Sequence, residues 1–328
     1  MDQDEYIAGI TTISHPDVYG KPADEECNPI LIQMYQSVLG AIAFANLTRT
    51  DIMVFVSALQ RVAHKPTNLH CKRLNAVVRW AQRNPKQLVY RRLSSEPNGD
   101  THLRMYIDAA FTKDEDDGRS MRGAVFIRCS GRESKHFNMA TTGHLIDFQG
   151  RSQRKVVRAT FTAELLGGCD TVDHGIVLCQ ALHHISTGKS SAKEGKELLD
   201  RWGLSNPHGS LSRRIKRIRI HHANIPENPV DQSVLIHCLY IRQLLTDGVL
   251  SALAWVDTRD MHADGLTKGS VDRKGIHDIM TGTVTRNHEI KIRISKDSAP
   301  LQGVSGDHEE AKHWPPKGAS AVPSETYQ

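Results

Sequence analysis

A chain of 328 residues, 39% hydrophobic and 24% charged, is long enough for two ordinary domains or one large one and has a globular composition. No window approaches the ~20 unbroken apolar residues of a membrane helix, and the acidic, polar MDQDEYIAGITT start lacks the pattern of a secretory leader, so no membrane partner and an intracellular location, cytoplasmic or nuclear, are expected. A net charge of +5 suits contact with polyanions without requiring it.

Residues 1–30 read as polar and irregular, punctuated by Pro16, Pro22 and Pro29. Residues 31–83 read as helical. Met34, Val38, Leu39, Ile42 and Ala43 fall on one face, and Asp51 is placed to cap a second helix carrying Ile52, Phe55, Val56, Leu59 and Val62. Pro66-Thr67 breaks that helix and caps a third, with Cys71, Leu74 and Val78 inward. From residue 87 the pattern turns strand-like, first in LVYRRL, then in LRMYIDAAF, GRSMRGAVFIR and around HLIDFQGR. At Thr160 the helical period returns, with Phe161, Leu165, Cys169, Val172, Ile176 and Cys179 on one stripe. A further amphipathic helix is expected over Asp231–Leu245, then a strand at SALAWVDT and a short helix from Ala263. These elements predict a mixed α/β layer fold preceded by a small helical segment. Beyond residue 283 charge rises and apolar content falls, so 283–328 is expected to be a disordered tail. The six cysteines, at 27, 71, 129, 169, 179 and 238, lack the tight repeated spacing of metal fingers or disulfide frameworks and read as incidental thiols.

Three acids stand out by context. Asp108 follows the apolar strand Leu103–Ile107, where a charge is costly without a partner. Glu164 lies in the first turn of the helix opening at ATFTAELL, and Asp264 opens a helix after a buried-looking strand. Helix capping accounts for the last two equally well. Carboxylates converging from separate elements are also what two Mg²⁺ ions roughly 4 Å apart require for phosphodiester cleavage. His262, two residues before Asp264, is a candidate for assisting proton transfer there. The adjacent pairs His183-His184 and His221-His222 lack the i, i+4 spacing of a helical metal site.

The order of short motifs sharpens this reading. YQSVLG at 35–40, TRTDI at 48–52, PTNLH at 66–70, YIDAAF at 106–111 with Gly118-Arg119-Ser120 and Gly123, ATFTAEL at 159–165 and ADGLTK at 263–268 together resemble, in order, the C-terminal part of copia-type retrotransposon Pol polyproteins. The resemblance implies a reverse-transcriptase thumb or connection remnant over residues 1–95 and an RNase H-like domain over 101–282, a mixed sheet with flanking helices. It implies an RNase H-type endonuclease cutting the RNA strand of RNA–DNA hybrids, with Mg²⁺ or Mn²⁺ held by Asp108, Glu164 and Asp264. It implies no polymerase activity, because the chain carries no Y-x-D-D motif and little sequence precedes Tyr35.

One departure bears on activity. A further catalytic acid is expected on a strand between the long helix and the helix near 231, yet Arg201 to Pro226 contains no Asp or Glu. That window holds Arg201, Arg213, Arg214, Lys216, Arg217 and Arg219 instead. Replacing an acid by cations beside a divalent site costs on the order of 4 kcal/mol per unit-charge pair at ~4 Å near a surface, so an impaired nuclease is expected. Arg213, Arg214, Lys216, Arg217 and Arg219 are candidate phosphate contacts; a solvated face explains them equally well. The alternatives are a non-catalytic nucleic-acid-binding relic and a host scaffold using residues 31–83 to dock a partner.

Overall fold

The computed structural model describes residues 1–93, 101–110, 120–130, 139–153, 156–157, 159–188, 217–222, 234–288 and 291–294, with the backbone alone for 217–222 and 291–294. Five helices come first: α1 (Asp4–Ala8), α2 (Pro16–Gly20), α3 (Pro29–Ala45), α4 (Met53–Arg61) and α5 (Asn68–Arg83), with a 3-10 turn at Thr50–Ile52. Asn28 caps α3 by accepting from the Leu31 amide at 2.9 Å, with Pro29 in the first helical position where its missing N–H costs nothing. Thr67 caps α5 as expected, in a reciprocal box with His70.

The opening segment is a correction to the irregular stretch expected there. Ile7, Ile13 and Val18 are buried with Leu31, Tyr35, Ile42, Leu74 and Val78 in one core. Two polar side chains of α5, buried Asn75 and exposed Gln82, hold it in place. Asn75 bonds both the amide and the carbonyl of Ile13, at 2.8 and 2.9 Å, and Gln82 donates to the carbonyls of Ile7 and Ile10. The buried stripe of α3 is Leu31, Tyr35, Leu39 and Ile42, so Met34, Val38 and Ala43 lie on its margin. Asp51 caps no helix; its carboxylate is buried against Arg49. Phe55 lies at the surface under the Arg273 guanidinium, 4.8 Å from its ring centroid.

A seven-stranded mixed sheet follows: β1 (Thr101–Ala110), β2 (Met121–Ser130), β3 (Met139–Ser152), β4 (Arg217–His222), β5 (Leu250–Trp255), β6 (Thr283–Arg286) and β7 (Lys291–Ile294), in the order β6-β3-β2-β1-β4-β5-β7. Neighbours β1, β2 and β3 pair antiparallel, while β4 runs parallel to both β1 and β5. Helices α6 (Thr160–Thr187), α7 (Leu235–Thr246), α8 (Asp264–Thr267) and α9 (Lys274–Met280) flank it. Central β1 is buried along nearly its whole length because both faces are covered. Leu103, Met105 and Ile107 meet the stripe of α6, where Leu165, Cys169, Val172 and Cys179 are buried as the periodicity predicts, together with Cys238 and Ile241 of α7. Tyr106 faces the other way, in a core with Met261, Ala263, Leu266, Ile276 and Met280.

Two further expectations are corrected. LVYRRL forms no strand: Leu88 exchanges backbone bonds with the chain terminus and Val89 donates to the Met280 carbonyl at 2.7 Å. The sheet also continues past residue 282, because β6 pairs with β3 and β7 with β5. Residues 295–328, with most of the expected tail, lie outside the described residues. The helical segment packs on the sheet through α4, whose Ser57 hydroxyl donates to the Gly150 carbonyl at 2.7 Å, and through Asp51, 3.6 Å from the His277 ring on α9. Among the described residues no helix is long and apolar enough to cross a membrane.

Candidate functional site

The end of β1 carries Asp108, paired in register with Gly123 of β2. Gly123 is what lets α8 lie directly on the sheet. A Cβ there would stand 2.8 Å from the Ala263 carbonyl oxygen and 2.9 Å from the Thr267 methyl, closer than any side chain tolerates. The absent side chain brings the last turn of the ADGLTK segment over Asp108. Thr267 then donates its hydroxyl to Asp108 Oδ2. The Lys268 ammonium reaches two carboxylates at once, 3.4 Å from Asp108 Oδ2 and 3.1 Å from Asp264 Oδ2.

Glu164 is the fifth residue of α6, just past the first turn where it was expected, and its neighbour Ala163 packs on Ala109 and Val157 beyond the catalytic-candidate position of β1. All three acids are largely buried, and burial together with the Asp108 charge shows in how Glu164 and Asp264 hold protons. Burial pushes the Glu164 carboxyl up to about 8, the Asp108 charge adds to the rise, and Lys268 opposes it. Asp264 is pushed up to about 6, first by burial and then by Asp108, against Lys268. The three sequence-predicted acids are thus brought within one electrostatic neighbourhood from a strand, a long helix and a short one.

Their oxygens suit a hard divalent cation in kind. Asp264 Oδ1 is buried without a hydrogen-bond partner. Spacing is another matter: among the described residues no three His, Cys, Asp or Glu side chains stand close enough together to hold a metal. The lysine explains why. With its ammonium between Asp108 and Asp264, these two carboxylates are arranged around Lys268 rather than around a shared point with Glu164.

The rest of the α8 turn is fastened from behind. Arg273 donates to the Gly265, Lys268 and Gly269 carbonyls while its other face rests on Phe55 of α4. His262 does not serve the site. It is fully buried, edge-on to Tyr106 at 4.6 Å, and burial holds it down at about 4, so it stays neutral packing beneath α9. Of the basic run, Arg213, Arg214 and Lys216 lie outside the described residues; Arg217 and Arg219 belong to β4, where the backbone alone is described. That strand is where the further acid was expected. It lies parallel to β1 with His221 opposite Tyr106, which sets its end near the level of Asp108, and its sequence RIRIHH contains no carboxylate.

Two partners escaped the sequence reading. Lys268 and Thr267 stand four and three residues after Asp264, the spacing that puts side chains on one helix face; that signal was legible, but their reach to Asp108, some 160 residues away, was not. Comparison of the chain with protein-family models, with curated proteins and with solved structures finds no match.

Proposed function

We propose that the chain is the C-terminal part of a copia-type retrotransposon polyprotein, with an RNase H-like domain descended from a nuclease of RNA–DNA hybrids and impaired at its catalytic site. The observation that carries this reading is the meeting of Asp108, Glu164 and Asp264 at one end of β1. Three buried carboxylates raise the cost of ionising one another, and Lys268 offsets only part of that repulsion. Such an arrangement is retained where a cation or a phosphodiester supplies the balance. Mg²⁺ or Mn²⁺ bound there would supply positive charge beside the scissile phosphate. As they stand, Asp108, Glu164 and Asp264 are too far apart to share one ion, with Lys268 between the two aspartates, which supports reading the site as the impaired remainder of such a centre.

A specific pair of observations favours a second reading, a nucleic-acid binder without catalysis. Strand β4 bears no acid, and Lys268 already neutralises part of the cluster. One experiment separates the two. Purified full-length protein is incubated with an end-labelled RNA–DNA hybrid and Mg²⁺ or Mn²⁺. Slow cleavage of the RNA strand, abolished by Asp108→Asn, supports the nuclease. Cleavage that survives Asp108→Asn removes the assigned site from the reaction. Hybrid binding without cleavage favours the binder, and neither binding nor cleavage refutes both.

A further inference from the structure

We propose that the outer face of α5, together with Tyr19 of α2, is a binding surface for single-stranded nucleic acid, with lysine and arginine gripping phosphates and two aromatic rings receiving unpaired bases. The inference does not depend on the carboxylate end of the sheet. It starts from a charge asymmetry. Between Ile52 and Ser95 the chain carries nine lysines and arginines and no aspartate or glutamate. The whole chain is only +5, so elsewhere acids outnumber these bases.

Helix geometry gathers much of that charge on one side. Cys71, Leu74, Val78 and Ala81 bury the inner side of α5. Lys72, Arg79 and Arg83 line the opposite side over roughly 16 Å of helix axis, with Arg73 and Trp80 on the adjacent row. Arg73, Arg79, Trp80 and Arg83 are exposed and Lys72 is half-buried. Tyr19, 61% exposed, joins them: the Lys72 ammonium lies 5.7 Å from its ring centroid, and Arg79 donates to its hydroxyl at 3.4 Å. The Trp80 indole stays 39% exposed although the buried Arg49 guanidinium lies 5.5 Å from its ring.

These cations lack the balance that others nearby possess. Lys21 lies between Asp17 and Glu25, at 3.1 and 3.0 Å, and Lys65 reaches Glu26 at 3.2 Å. Among the described residues none of Lys72, Arg73, Arg79 and Arg83 is paired with a carboxylate. Arg79 and Arg83, one turn apart, repel each other. The helix dipole favours cations in the last turn, which accounts for Arg83 but not for Lys72 or Arg73 in the first half of α5. A polyanion supplies the balance, and the rings decide which one. Unpaired bases offer their faces for stacking, whereas a duplex keeps them inside. A membrane surface fits less well, because the apolar side of α5 is buried in the core.

The test uses the full-length chain and needs no catalytic activity. Fluorescence anisotropy measures binding of a labelled pyrimidine-rich single strand, as RNA and as DNA, and of an RNA–DNA hybrid of equal length, over a salt series. Wild type should hold either single strand more tightly than the hybrid. Arg79→Gln/Arg83→Gln removes two phosphate contacts. The slope of log affinity against log salt should become shallower by about 1.4, and binding at about 0.1 M salt should weaken about 25-fold. Trp80→Leu should weaken binding at least about fivefold with the slope unchanged. Lys65→Gln, which removes a paired charge, should change little. Any hybrid cleavage should be the same in the arginine variant as in wild type, which keeps this surface separate from the carboxylates. Unchanged single-strand affinity in the arginine variant overturns the proposal, as does tighter binding of the hybrid than of the single strands. Retention on phosphatidylserine vesicles with no oligonucleotide bound assigns the face to a membrane instead and likewise overturns it. Should Trp80→Leu fail to fold, the arginine variant, altered only at exposed positions, decides.

Discussion

Removing the Asp51 carboxylate isolates the energetics of a buried ion pair within the helical segment. Arg49 and Asp51 are both fully buried, and the pair is bidentate, with Nε and Nη2 of Arg49 each 2.9 Å from an Asp51 oxygen. Besides this carboxylate the guanidinium has the Ala81 carbonyl at 3.1 Å and the Trp80 ring at 5.5 Å. An arginine does not shed its proton when its partner is removed, so Asp51→Ala leaves an uncompensated buried charge, an effect of about 3–5 kcal/mol. Asp51→Asn keeps one neutral acceptor and should fall at the lower end of that range. In the double variant Arg49→Met/Asp51→Ala no charge remains buried, and much of the loss should return. Equilibrium urea denaturation at neutral pH measures all three. A loss below about 1 kcal/mol for Asp51→Ala, or a double variant no better than the single one, would refute the argument from an unpaired buried ion. The pH dependence supplies an internal control. Burial pushes the Asp51 carboxyl up, but His277 and Arg49 beside it outweigh that and hold it below its ordinary value of 3.8. A depressed carboxylate contributes stability that is complete above its unfolded pKa and is lost as pH falls through the folded one. The gap between wild type and Asp51→Asn should therefore persist at neutral pH and close only in strong acid.

The other two predictions concern the carboxylate end of the sheet. Gly123→Ala places a methyl 2.8 Å from a backbone carbonyl of the α8 turn, so that turn must lift away from β1. A loss of about 1–3 kcal/mol in urea denaturation is expected, as for other overpacked sites; a variant as stable as wild type would show that α8 does not rest on β2. Glu164, pushed up to about 8 from 4.5, takes up its proton in the folded state before the unfolded chain does. Its contribution is thus complete below about 4.5 and declines as pH rises towards 8, by up to about 1.4 kcal/mol per pH unit without a bound cation. Glu164→Gln, which mimics the protonated acid, should flatten that decline; denaturation curves between pH 5 and 8 that keep the same slope in the variant would contradict the assigned environment.

Much of this protein is legible along the chain because periodic burial is a local signal. The apolar run ending at Asp108, the stripe from Phe161 to Cys179 and the Thr67 cap are set by residues within a turn or a strand of one another, and the structure shows each element where the pattern puts it. Asp108, Glu164 and Asp264 stood out for the same reason, as charges at the ends of buried elements. What tertiary structure alone decided depends on partners far apart in sequence. The first 30 residues look irregular until Asn75 and Gln82 supply their backbone hydrogen bonds, and short β6 and β7 are strands only because β3 and β5 offer open edges. Asp51 resembles a helix cap, but a fully buried guanidinium two residues away claims it first. His262 lies two residues from Asp264 in sequence, yet its ring is buried edge-on against Tyr106. Lys268 follows the opposite course, from an ordinary last-turn lysine to the charge that holds two aspartates, because a missing side chain at Gly123 lets its helix descend onto the sheet.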